Sequence, residues 1–227
     1  MRISHLFILL AASAMLTACD FLDEYNPNSV TVGNYYTSEE DIVASLNGVY
    51  TSLTQSYVAD NYHYFTDVRA NATVVTNSGA NSGIPYQFYN YTLTEENVYV
   101  YNRYSQLYKI ISRANTLFAH LGDVSYATPS ARDTYEAEAR FLRALSYYWL
   151  VTEWGDVPLV LKVLESTEEV RANNYRRPKA EIYQAIFDDL KYVTESPLPD
   201  VQPASACGKV SKAAAWALWG KALLQQA

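Results

Sequence analysis

The chain has 227 residues, 49% of them hydrophobic and 18% charged, with a formal net charge of -7 and a pI near 5.0. That is enough apolar material for one large domain or two small ones, and the acidic balance argues against nucleic acid, whose binders carry a basic face. Tyrosine is the outlying residue, 21 in all; its flat ring and polar tip suit wet binding surfaces and serve a helical core equally well.

Residues 1-18 read as a secretory signal. Arg2 supplies the positive end, and Leu6 to Leu16 form an apolar run that closes on small residues. The run is shorter than the roughly 20 apolar residues a membrane-spanning helix needs. Its removal takes away one of the 17 basic residues and none of the 24 acidic ones. Two cysteines then need a place, Cys19 and Cys207. A disulfide between them is open after export, but a bridge from the cleavage boundary staples little. Leu16-Thr17-Ala18-Cys19 instead resembles a bacterial lipobox, cleaved just before the cysteine. That resemblance implies a diacylglyceryl thioether and an acylated (palmitate-type) amine on Cys19. Each buried CH2 of such chains contributes about 0.8 kcal/mol, so several chains together hold a protein on a membrane surface. Cys207 is left as a lone thiol, buried or partly exposed.

From Cys19 to Tyr36 the chain is polar, carries Pro27 and Gly33, and shows no helical period; it reads as a tether. A domain over 37-227 follows. Thr37 or Ser38 caps a first helix, with Glu39, Glu40 and Asp41 in its first turn and Ile42, Leu46, Val49, Tyr50 and Leu53 on one face. Residues 57-95 are punctuated by Asn71, Asn77, Gly79, Asn81, Gly83 and Pro85 and hold no stripe. They read as a long irregular loop, with room for a short strand or hairpin around Ala72 to Val75 and Gln87 to Leu93. Loops of this length are often functional, and 11 of the 21 tyrosines lie between Tyr50 and Tyr108.

A second helix is expected from about Glu96 to Leu121, stopped by Gly122-Asp123. A third runs from Pro129-Ser130 to Trp154; it is apolar on nearly every side and so belongs at the centre of the fold. Gly155 and Pro158 end it. Pro178 opens a fourth helix with Ile182, Ile186, Phe187 and Leu190 inward, closed by Pro197 and Pro199, and Ser211 or Lys212 opens a fifth. The expectation is an all-α, mainly helical fold of tetratricopeptide-like helix pairs around an irregular aromatic loop. No stop signal precedes Ala227, so a longer protein, truncated here at its C-terminus, is expected.

Reactive chemistry is sparse. His63 and His120 have no metal-ligand spacing, so neither a metal site nor another cofactor is expected. Gly208-Lys209 lacks the first glycine and the Ser/Thr of a phosphate loop, and no Gly-x-Ser-x-Gly elbow occurs. Asp60 and Asp67 flank the aromatic loop and Glu95-Glu96 follow it, a carboxylate set that a secreted hydrolase would need, though such residues are more often solvated charges. Glu136 and Arg140 sit at ion-pair spacing. Arg143 needs an acidic partner, from a Glu136-like residue or Asp156. Trp149 and Trp154 read as core.

The stretch EARFLRALSYYWLVTEWGDVPLV, 138-160, resembles the signature of the SusD/RagB family of outer-membrane nutrient-binding lipoproteins. Other pieces follow in order: Cys19 with Asp20-Phe21-Leu22-Asp23, SQLYKIISRANTLFAHL over 105-121, RPKAEIYQAIFDDLKYV, and GKVSKAAAWALWGKALL. The resemblance covers the N-terminal part of such proteins. It implies a non-enzymatic helical binding protein, lipid-anchored at Cys19 in the outer membrane and facing the exterior. There it would act as a lid on a SusC-like TonB-dependent transporter and deliver oligosaccharides or, in some members, peptides. In such a lid, rings stack on sugar faces while polar side chains bond the hydroxyls, which puts forward Tyr62, Tyr64, Asp67, Arg69, Tyr86, Phe88, Tyr89, Asn90 and Tyr91. A helical scaffold for protein partners is the rival expectation.

Overall fold

The computed structural model describes residues 35-75 and 83-227. The signal segment, Cys19 and nearly all of the tether lie outside the described residues. Residues 36-227 form one compact unit, and its elements in chain order are α1 (Glu39–Leu53), a π-helical turn (Tyr64–Val68), α2 (Gly83–Tyr89), α3 (Val98–His120), α4 (Ala131–Trp154), α5 (Thr167–Asn173), α6 (Lys179–Glu195), a 3-10 turn (Ala204–Ala206) and α7 (Lys212–Gln226). Among the described residues there is no strand, only an isolated bridge between Val157 and Arg177.

Local chemistry sets the helix ends. Ser38 and Asp41 form a reciprocal capping box on α1: the Asp41 amide donates to Ser38 Oγ at 3.3 Å and the Ser38 amide to Asp41 Oδ2 at 3.0 Å. Gly155 ends α4 at φ 73°, a left-handed conformation that costs glycine nothing. Asp156 accepts the first amide of α6, from Lys179, at 2.9 Å. Ser211 caps α7 through the amide of Ala214.

The long helices pack in chain order, α1 on α3, α3 on α4, α4 on α6 and α6 on α7. Their inward stripes meet in one core: Ile42 and Leu46 from α1, Leu107, Ile110 and Leu117 from α3, Leu142, Tyr147 and Leu150 from α4, Ile186 and Leu190 from α6, Leu218 from α7. Helix α4 touches α1, α3, α6 and α7, as its all-round apolar sequence requires. This is the tetratricopeptide-like array expected from the sequence.

Two expectations change. Arg143 pairs with neither Glu136 nor Asp156. Its partner is Asp189 on α6, reached at 2.8 and 2.7 Å, while Arg140 reaches Glu136 at 2.8 Å and Asp189 at 2.8 Å. Arg143 also donates to Asn115 Oδ1 at 2.7 Å, and Asn115 holds the carbonyls of Val160 and Lys162, which pins the strand-like exit from α4. A pattern read within one helix could not find a partner 46 residues away. The hairpin is the second change: Gln87 lies inside α2, because Pro85 and Phe88 turn inward at helical spacing and bury against the loop's other half. The sequence reading also passed over α5, which Ser166 caps through the Glu169 amide.

Candidate functional site

The segment between α1 and α3 splits its aromatic residues between two tasks. Phe65, Val68 and Phe88 are buried in a small cluster of their own, with Tyr64, Tyr89, Tyr99 and Trp154 around it. Phe65 meets Phe88 edge-on at 4.9 Å, and Tyr64 meets Tyr99 edge-on at 5.3 Å. Burial raises the pKa of the Tyr99 hydroxyl, helped by the nearby Tyr64 and Tyr57. Phe88, put forward as a ligand contact, is 1% exposed; it anchors the segment and is not part of the open face.

The remaining candidates are exposed or half-buried. Tyr62 is 37% and Tyr91 67% exposed, Asp67, Arg69 and Asn90 are exposed, and Tyr64, Tyr86 and Tyr89 are half-buried. Tyr86 and Tyr89 lie 5.6 Å apart on one side of α2. Tyr91 has φ 58°, which for a bulky residue is an outlier of the kind that collects at functional sites. Its hydroxyl donates to the Arg69 carbonyl at 3.0 Å, so the two halves of the loop are tied together at its rim. Asn90 accepts from the Thr92 hydroxyl at 2.6 Å.

Beneath this surface lies Arg103, 0% exposed, one turn before Leu107 on the inward stripe of α3. It donates Nε and Nη2 to the two carboxylate oxygens of Glu153 on α4, both at 2.6 Å, and Nη1 to the carbonyls of Tyr57 and Val58 at 3.1 and 3.3 Å. The rings of Tyr62, Phe65 and Trp149 surround its guanidinium at 5.0, 4.8 and 5.5 Å. Burial raises the Glu153 carboxyl, and the hydrogen bonds and charge of Arg103 work against that shift. The start of α3 is tied in as well. Asn97 caps it through the amides of Tyr99 and Val100, and its own amide group donates to Ile84 O at 3.1 Å and Gln87 Oε1 at 2.8 Å in α2.

Two clefts flank the π-helical turn. The smaller, about 170 Å³, is lined mainly by Phe65, Phe88, Leu93, Val100 and Trp154, with Arg69, Thr94 and Glu153. The larger, about 390 Å³, opens between Tyr62, Thr66 and Arg69 on one side and Trp149, Thr152 and Glu153 of α4 on the other. Sequence reasoning passed over Arg103, Glu153, Thr66 and Thr152, and placed Trp149 in the core; Trp149 is half-buried and lines the larger cleft. A charged residue on the apolar stripe of α3 was the one available signal.

Residues 20-224 match the SusD-like family, described as starch-binding and associating with the outer membrane. The chain belongs to this SusD/RagB family. SusD-like protein P2 of Formosa agariphila is 28% identical over 95% of this chain and 41% of its own length, and a SusD-like protein of Bacteroides ovatus is 25% identical over 85% and 35%. Among solved structures, a laminarin-binding SusD-like protein superposes with a TM-score of 0.72 at 28% identity, over 84% of this chain and 41% of that one. Surface glycan-binding protein A of Bacteroides thetaiotaomicron, solved with laminarihexaose, shares the fold at a TM-score of 0.69 and 21% identity, over 83% and 39%. The chain spans about two fifths of the length of the curated relatives it matches.

Proposed function

We propose that this protein is a surface glycan-binding lipoprotein that captures oligosaccharides on the 62-91 face and passes them to a SusC-like TonB-dependent transporter. The observation that carries the reading is the set of exposed or half-buried rings and polar groups (Tyr62, Asp67, Arg69, Tyr86, Tyr89, Asn90, Tyr91) around a buried anchor, in a chain of the SusD-like family. Rings offer flat apolar faces to sugar C-H groups, and the polar side chains serve the hydroxyls. The 28% identity to a laminarin-binding protein supports a glucan ligand in preference to a peptide. Attachment is through acylated Cys19 at the outer membrane, with the domain turned to the exterior.

The protein binds rather than hydrolyses in this reading. The carboxylate that lines both clefts, Glu153, is held at both oxygens by Arg103, whereas glycoside hydrolysis needs a pair of free carboxyl groups across the bond. The scaffold reading keeps one observation, the exposed apolar residues Trp216, Leu223 and Leu224 on α7.

Calorimetry of the chain lacking residues 1-19, against laminarin, starch and their oligosaccharides, tests the capture step. Saturable binding that is lost in Tyr89→Ala/Tyr91→Ala is expected; no binding to any glucan sinks the reading. Labelled palmitate should enter the full chain and not Cys19→Ala. A barrel-type transporter should co-purify with the full chain from envelope membranes.

A further inference from the structure

We infer that the larger cleft, between the π-helical turn and α4, is a separate sugar subsite that takes one end of a neutral oligosaccharide, with Tyr62 and Trp149 as its stacking rings. The inference rests on the glycan reading above; the cleft shares Tyr62 and Arg69 with the 62-91 face and adds Thr66, Trp149 and Thr152, which that face does not include. At about 390 Å³ the cleft falls in the range of roughly 300 to 1,000 Å³ usual for small-molecule sites. Its two rings stand 6.1 Å apart at 51°, and two inclined walls hold a puckered ring better than one flat surface does.

What singles out this cleft is the group packed behind its rings. Arg103 lies against both rings, at 5.0 and 5.5 Å, and is itself locked by Glu153 and by the Tyr57 and Val58 carbonyls. A buried ion pair is a weak source of stability, because desolvation offsets most of the attraction. It does fix geometry, and rings held in place before binding lose less freedom when a ligand arrives. The two charges cancel, so the pair adds no net charge beneath the cleft.

The rim supplies hydrogen bonds. The Thr66 hydroxyl donates to Tyr62 O at 3.2 Å and the Thr152 hydroxyl to Tyr148 O at 2.8 Å. Each keeps its lone pairs to accept a sugar hydroxyl. Arg69 and Gln225 add exposed donors. The groove lined by Tyr104, Tyr108, Val160 and Leu164 is more apolar, with Asn173 and Asn174 at its edge, and among the described residues no buried ion pair is packed behind its rings.

The test is calorimetry with laminarihexaose and maltohexaose on the wild-type chain, Thr66→Val/Thr152→Val, Trp149→Phe and, as a control on the outer face, Tyr91→Ala. The double valine variant keeps side-chain volume and carries the test if Trp149→Phe fails to fold. Loss of one or two hydrogen bonds of about 1 kcal/mol each corresponds to a drop of about fivefold or more in affinity. That drop is expected in Thr66→Val/Thr152→Val, with Tm unchanged; Trp149→Phe should also weaken binding, and the losses should multiply with that in Tyr91→Ala. If the cleft variants bind as tightly as wild type while Tyr91→Ala loses affinity, the subsite is overturned and the glycan reading stands. If wild type binds neither hexasaccharide, the glycan reading fails for these glucans and the inference falls with it.

Discussion

The helical array and the aromatic segment inserted between α1 and α3 solve the burial of polar groups in opposite ways. In the array, Arg140, Arg143, Asp189, Glu136 and Asn115 close on one another across three helices, inside a continuous apolar core. Among the described residues of the inserted segment, Phe65, Val68 and Phe88 form a small buried cluster of their own, with Val58 and Pro85 also buried, and one arginine, Arg103, ties the segment to α3 and α4. The array therefore holds itself together, while the segment is held from below and leaves its upper rings open. A surface that must meet a ligand stays exposed because its support comes from the neighbouring helices rather than from its own core.

The contrast can be broken most strongly at Asp189. Asp189→Ala leaves the buried Arg143 without its carboxylate and Arg140 with Glu136 alone, and should cost about 3 to 5 kcal/mol, seen as a large fall in the urea midpoint with α4 and α6 losing protection together. Glu153→Ala strands Arg103 in the same manner, yet its effect should be confined. Hydrogen exchange is expected to quicken over residues 57-70 and 83-97 and stay slow over 137-147. Replacing both partners, Arg103→Met with Glu153→Leu, should restore most of the global stability, since apolar pairs of similar size often replace buried ion pairs without loss. The amides of 57-62 should remain fast in that variant, because the donor to the Tyr57 and Val58 carbonyls is gone. Uniform protection in the double variant would show that the arginine does not hold the segment.

Asn97→Ala removes a helix cap worth about 1 kcal/mol and the two bonds that tie α2 to α3. A fall in Tm of a few degrees is expected, with exchange rising first in α2.

The smallest effect is one of pH. Glu138 is buried in the array and accepts the Tyr50 hydroxyl at 2.7 Å; burial raises its pKa above the usual carboxylate value of 4.5, against the pull of Tyr50 and Lys209. A carboxyl raised in the folded state penalises folding when ionised, so its cost is present at pH 7 and disappears as pH falls below about 4.5. Glu138→Gln should thus match or slightly exceed wild-type Tm at pH 7, with the difference closing by pH 4. A variant less stable at pH 7 than at pH 4, relative to wild type, contradicts that assignment.

The legibility of the sequence follows the same division. The five long helices and most of their ends were readable, because caps at Ser38 and Ser211, breaks at Gly155 and Pro178, and stripes three and four residues apart are local signals. The family was readable too, since its motif lies on α4, whose crowded position restricts every face. The aromatic segment was legible only as a region. Helix α2 was hidden because seven residues give too short a pattern, and what fixes it is Phe88 packing on Phe65 and Asn97 bonding back to Ile84 and Gln87.

Taken alone, then, the residues determined the helix count of the main array, the central place of α4 and the aromatic character of the 57-95 segment, all of which rest on periodicity and composition. Tertiary structure decided which rings are anchors and which are open. It buried Phe88, left Tyr62 and Tyr91 in solvent, drew Trp149 to the wall of a cleft and paired Arg103 with Glu153 across 50 residues. Local pattern cannot assign these, because the physical cause in each case is a contact between side chains that the sequence keeps far apart.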